Sequence, residues 1–190
     1  MTRIRDELFY NNPSVYLAEE LHHQLEQWRS SLPRSIRDDF DSDSSSHEHP
    51  SQTVAVAMLQ TRYWVSVYHI GRPFLYKAIT NTAELTFGDL DICKRSMTAA
   101  VAWFAAYRRS IRMRSYMHLI FFVCSQLLGQ LLITHHLRSA TDDRVRSIVP
   151  DGVDDWLHAA FDFMKTTALC NPTVARDVRM LSKLFGSASL

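Results

Sequence analysis

Along residues 61–79, TRYWVSVYHIGRPFLYKAI, apolar residues recur at intervals of three and four, the period of a helix with one buried face. The same spacing returns in segment after segment, and none alternates at period two as a half-buried strand does. That restricts the fold to all-α. One discord lies inside the stretch itself, at Gly71-Arg72-Pro73. Proline lacks a backbone donor and its ring crowds the preceding turn, which frees the carbonyl of His69. Two arrangements fit: a kink that wraps the helix around the core, or a kink that opens space and turns Trp64, Tyr68, His69 and Arg72 into a pocket wall.

The other helices follow by the same rule. Ala18, Leu21, Leu25, Trp28 and Leu32 form an amphipathic stripe, opened by Asn12-Pro13 and stopped by Pro33. DDFDSDSSSHEHPSQ (38–52) is acidic, serine-rich and nearly without apolar residues, so a flexible loop inside the domain is expected there. Helix is expected again from Val54 through Ile79, then a turn between Thr80 and Gly88, then a helix marked by Leu90, Cys93, Met97, Val101, Phe104 and Tyr107. RRSIRMRS (108–115) reads as a basic connection, after which Ser115 caps a very apolar helix running to near Leu137. A short helix is expected from Thr141 to Val149, ended by Pro150. Val153, Trp156, Leu157, Ala160, Phe161 and Met164 define the next stripe, and Asn171-Pro172 opens the last, carried by Val174, Val178, Leu181 and Leu184. The expectation is one helical domain over 1–190, a bundle of about six to eight helices.

A chain of 190 residues can bury a real core, and 46% hydrophobic with 22% charged residues is ordinary for a globular protein. The formal net charge of +1 provides no global field toward nucleic acid or a membrane surface. Cys93, Cys124 and Cys170 lie far apart on apolar patterns, which fits neither a zinc site nor a disulfide framework; all three read as small buried hydrophobes in a reducing compartment. MTRIRDELFY has no apolar signal core, so a cytoplasmic location is expected. MHLIFFVCSQLLGQLLIT (117–134) approaches bilayer-spanning length but carries His118, Ser125, Gln126 and Gln130 and lacks an aromatic belt, so it reads as the central helix of a bundle rather than a membrane span. No phosphate loop, metal motif or nucleophile elbow is present, and no cofactor or metal is expected. His22-His23 and His135-His136 are adjacent on helices, so the two rings of each pair diverge.

Steps of four along the apolar helix give His118, Phe122, Gln126, Gln130 and Thr134, a ridge that drifts slowly around the axis, while the neighbouring rows are wholly apolar. Such a ridge either meets water or neighbouring backbone, or lines a cavity in which His118, Gln126 and Gln130 hydrogen-bond a mostly apolar ligand.

ELHHQLEQWRSSLPRSI (20–36), Arg72-Pro73-Phe74-Leu75-Tyr76 and GDLDICKRSMTAAVAWF follow one another in an order similar to that of the C-terminal part of the regulatory (middle homology) region of fungal binuclear-zinc-cluster transcription factors. ELHHQLEQWRSSLPRSI (20–36) resembles that family's Leu-x-x-Trp-x-x-x-Leu-Pro helix, and Arg72-Pro73-Phe74-Leu75-Tyr76 matches the motif closing its long helix. A helix like GDLDICKRSMTAAVAWF follows in both, and the resemblance spans roughly 15–140. The family reads DNA through six clustered cysteines, and nothing here matches them, so direct nucleic-acid binding is not implied; the run Arg108, Arg109, Arg112, Arg114 does not replace that module.

Two functions follow as expectations. The first is a cofactor-independent cyclase or pericyclase of fungal secondary metabolism, folding an apolar metabolite for cycloaddition or isomerisation. In it His118, Gln126 and Gln130 act on the substrate while Trp64, Tyr68, His69, Arg72 and Phe122 bind it. The second is a truncated regulator without DNA contact, nuclear in location, or a ligand-sensing module; a homodimer is compatible with either.

Overall fold

The computed structural model describes residues 13–41, 50–110 and 117–186. Among these residues the chain forms eight α-helices and one short 3₁₀ turn, with no strand, so the all-α reading holds. Its contacts fall into two compact units, Met1–Met113 and Arg114–Leu190.

In the first unit, α1 (Val15–Ser31) starts where the Ser14 hydroxyl accepts from the Leu17 amide, so the cap is Ser14 and not the expected Asn12-Pro13. A second helix, α2 (Arg34–Asp41), begins directly after the Leu32-Pro33 stop. The long α3 (Pro50–Thr80) runs through Pro73, and after the 3₁₀ turn Thr82–Glu84 the chain returns as α4 (Phe87–Ser110). The expected flexible loop is therefore too wide: 38–41 and 50–52 are helical, and only 42–49 lies outside the described residues. The reason is Phe40. It is buried, it meets the Tyr63 ring edge-on at 5.5 Å, and its carbonyl accepts from Gln60 Nε2 at 2.7 Å. One aromatic residue in an acidic run is enough to dock the turn that carries it. Arg108 and Arg109 likewise belong to the last turn of α4 rather than to a connection, a position where the helix dipole favours cations.

The core of this unit is the hairpin of α3 and α4, with α1 and α2 against it. Phe74, Leu75, Ile92, Met97, Trp103 and Phe104 are almost fully buried. Gly71 lets the two helices close: a Cβ there would lie 2.4 Å from Ser96 Cβ and 3.0 Å from the Ile92 carbonyl oxygen. Ser96 uses the same proximity to donate its hydroxyl to the Tyr68 carbonyl at 3.0 Å. At the turn, Thr86 and Asp89 exchange backbone and side-chain hydrogen bonds, and Lys77 Nζ of α3 reaches Asp89 at 2.8 Å. Burial raises the Asp89 pKa, but the Lys77 ammonium and the Thr86 donors outweigh it and hold the carboxyl below the usual range.

The second unit contains α5 (Met117–Arg138), the one-turn α6 (Asp143–Arg146), α7 (Val153–Ala168) and α8 (Pro172–Gly186). The expected helix over 141–149 contracts to α6, opened by Asp142, whose carboxylate accepts from the Arg144 amide at 2.8 Å. Gly152 precedes α7 at φ +73, a left-handed conformation that glycine adopts without a Cβ penalty. Asn171 caps α8 as expected, accepting from the Thr173 and Val174 amides. Among the described residues one helix segment, Ile120–Arg138, is long and apolar enough to cross a bilayer. Its Cys124, Leu127, Leu131 and Leu137 are buried in the protein. Cys93 and Cys124 are buried as expected, whereas Cys170 is exposed, because it falls in the turn that ends α7 rather than on the packed face.

Candidate functional site

The residues singled out by sequence divide four and four between the two units. Trp64, Tyr68, His69 and Arg72 share α3, and Phe122, Gln126 and Gln130 share α5 with His118, whose side chain lies outside the described residues.

On α3, Trp64 is half-buried and meets the Tyr63 ring edge-on at 4.8 Å. Tyr68 is only 2% exposed, and burial pushes its phenol up to about 12 despite the Arg72 charge. His69 is half-buried with its ring 5.5 Å from that of Tyr68; burial, then the Arg72 charge, lowers its pKa, so the imidazole is neutral near pH 7. Arg72 donates from Nη2 to the Tyr76 hydroxyl at 3.1 Å and stands over the Tyr76 ring, Cζ to centroid 5.5 Å. Its Nε is buried and, among the described residues, meets no acceptor. The buried part of the motif, Phe74 and Leu75, is core, while Arg72 and Tyr76 remain toward the surface.

The α5 ridge does not keep one environment. Phe122 is 65% exposed, Gln126 is half-buried, and Gln130 and Thr134 are buried, with the Thr134 hydroxyl donating to the Gln130 carbonyl at 2.8 Å. Phe122 pairs with the exposed Phe121, ring centroids 6.1 Å apart.

A cavity of about 140 Å³ lies in the second unit, among residues that the sequence reading left as core or surface. Leu131 of α5, Leu157 and Phe161 of α7 and Phe185 of α8 make it apolar, and His158, Asp162 and Lys165 line it as well. Those three polar residues are exposed, so the cavity opens to water along the outer side of α7. Phe185 lies between the edge of His135 at 5.2 Å and the tilted Phe161 ring at 6.3 Å. Lys165 Nζ sits 4.4 Å from the Phe161 centroid and 3.3 Å from Asp162 Oδ1, so a cation and a carboxylate flank one aromatic face. His158 Nδ1 donates to the Asp154 carbonyl at 2.7 Å, which leaves Nε2 available to a ligand. The signal was present in the sequence: Leu157, Phe161 and Lys165 recur by four, as do His158 and Asp162. A stripe of this kind reads first as core packing, and only the position of Phe185 turns it into a groove.

No family model, no curated protein and no solved structure matches this chain.

Proposed function

We propose that this chain is a ligand-binding helical module of the regulatory type, which takes a small apolar group into the groove between α5, α7 and α8 and acts without reading DNA itself. The observation that supports this is the groove: an apolar floor of Leu131, Leu157 and Phe185 beside a polar rim of His158, Asp162 and Lys165. Its size selects the ligand. At about 140 Å³ it matches a cavity that accepts one benzene ring, about 150 Å³, and falls below the roughly 300–1,000 Å³ of pockets that enclose drug-sized molecules. A phenol or short aromatic alcohol fits, its ring inside and its hydroxyl at the rim.

The cyclase reading is second, and a different observation favours it: on α3 the donors of Arg72 and the neutral His69 are partly desolvated, the setting in which a hydrogen bond to an activating carbonyl is strongest. A polyketide- or terpene-sized substrate exceeds the groove, so catalysis would use the α3 face instead.

The test is thermal. At ten times its Kd, phenol should stabilise the folded protein by about 1.4 kcal/mol, a Tm rise of roughly 3–6 °C for a chain of this size. His158→Trp, which fills the exposed rim without touching the floor, should abolish that rise. A Tm unaffected by phenol and by the corresponding short alcohols would refute the groove as a ligand site.

A further inference from the structure

Most arginines in the described helices end on a carboxylate. Arg95 bridges Glu19 and Asp91, Arg138 meets Asp154 at 2.6 Å, and Arg144 meets Asp142 at 2.8 Å. Half-buried Arg29 has Glu26 at 3.4 Å. Arg72 is half-buried too, yet among the described residues it has no carboxylate: its neighbours are the Tyr76 hydroxyl and ring and the His69 imidazole. Its Nε is enclosed, with no acceptor among those residues. A buried guanidinium N–H with no acceptor is costly, and here it belongs to a side chain whose Nη edge still meets solvent. Tyr76 holds the guanidinium from one side, which fixes its plane before any ligand arrives.

We propose that the α3 face around Arg72 binds the carboxylate of a small ligand, with the Arg72 guanidinium as the anchor and His69 as a neighbouring hydrogen-bonding group. A carboxylate suits this arrangement because its two oxygens accept the parallel N–H bonds of a planar fork. Tyr76 is 42% exposed, so a ligand reaches the Nη edge of the guanidinium from solvent along its ring, while Nε stays enclosed behind it. The site shares no residue with the α7 groove and holds whether that groove senses a ligand or not.

The test follows the arginine Nε–Hε resonances of the full chain during titration with sodium benzoate at constant ionic strength, with inorganic phosphate in parallel. The Arg72 signal should move saturably with benzoate, with a Kd on the order of 1 mM, while the exposed Arg62 and Arg179 respond only in proportion to added salt. Benzoate should also raise the His69 pKa, because the bound charge offsets that of Arg72. Arg72→Lys keeps the charge but loses the fork, and should weaken the benzoate response of His69 by about tenfold with the helical circular dichroism unchanged. If that variant fails to fold, the wild-type titration alone decides. An Arg72 signal that does not saturate, saturates with phosphate only, or leaves the His69 pKa where it was would overturn the assignment.

Discussion

At Gly71 one absent carbon sets the distance between two helices. Ser96 Cβ occupies the space a side chain would need, and Ser96 Oγ spends its proton on the Tyr68 carbonyl. The sequence marks this residue only as a helix breaker beside Pro73, and its packing role is invisible without knowing that α4 returns against it. Gly71→Ala should destabilise the protein by about 1–3 kcal/mol through overpacking, measured by chemical denaturation. Ser96→Gly in the same chain should recover part of that loss; equal losses in the single and double variants would show that the contact is unimportant. A second residue-scale effect concerns protons. His22 is buried against α4 near Arg95, and burial, then the Arg95 charge, lowers its pKa from 6.5, against the opposing pull of Glu19, Glu26 and Asp91. The folded state thus binds fewer protons than the unfolded one, so its stability is full above the ordinary histidine pKa of about 6.5 and falls as pH drops through it. His69 adds in the same direction. His22→Leu should flatten the decline in Tm between about pH 7 and pH 5; a Tm profile with the wild-type slope would remove His22 from the explanation.

At the scale of elements, most of the helices were readable and their burial was not. The apolar stripes place α1, α3, α4, α5, α7 and α8 because each covers several turns of one face. The acidic segment misled because composition averages over residues, whereas docking needs only one: Phe40 anchors α2 by its contacts with Tyr63 and with Arg29, whose guanidinium lies 5.6 Å from its ring centre. Phe40→Ala should cost roughly 3–5 kcal/mol, and a denaturation midpoint close to wild type would return α2 to the status of surface. The α5 ridge shows a different limit. Each step of four residues advances about 40° around a helix of 3.6 residues per turn, so a row that begins in water at Phe122 ends inside at Thr134. Along that row Phe122, Gln126 and Gln130 pass from exposed through half-buried to buried. The amides are better explained singly: Gln130 is buried and Gln126 stands at the margin.

For the molecule as a whole, the division into two units is what sequence could not supply. Hydrophobic periodicity tells a helix which face to bury and leaves open which partner buries it. Of the residues read as a substrate site, the α3 four belong to one unit and the α5 four to the other. The groove, by contrast, is assembled within one unit from α5, α7 and α8, and its members looked like ordinary core and surface positions. The central claim is that this groove receives a small apolar ligand. The most direct measurement is a methyl-resolved NMR titration with phenol, reading Leu131 and Leu157 in the groove and Leu75 and Ile92 in the core of the first unit. Saturable shifts of the Leu131 and Leu157 methyls, with a Kd on the order of 1 mM and no matching change at Leu75 or Ile92, are the predicted result. Shifts confined to Leu75 and Ile92, or no saturable shift at any methyl, would contradict it.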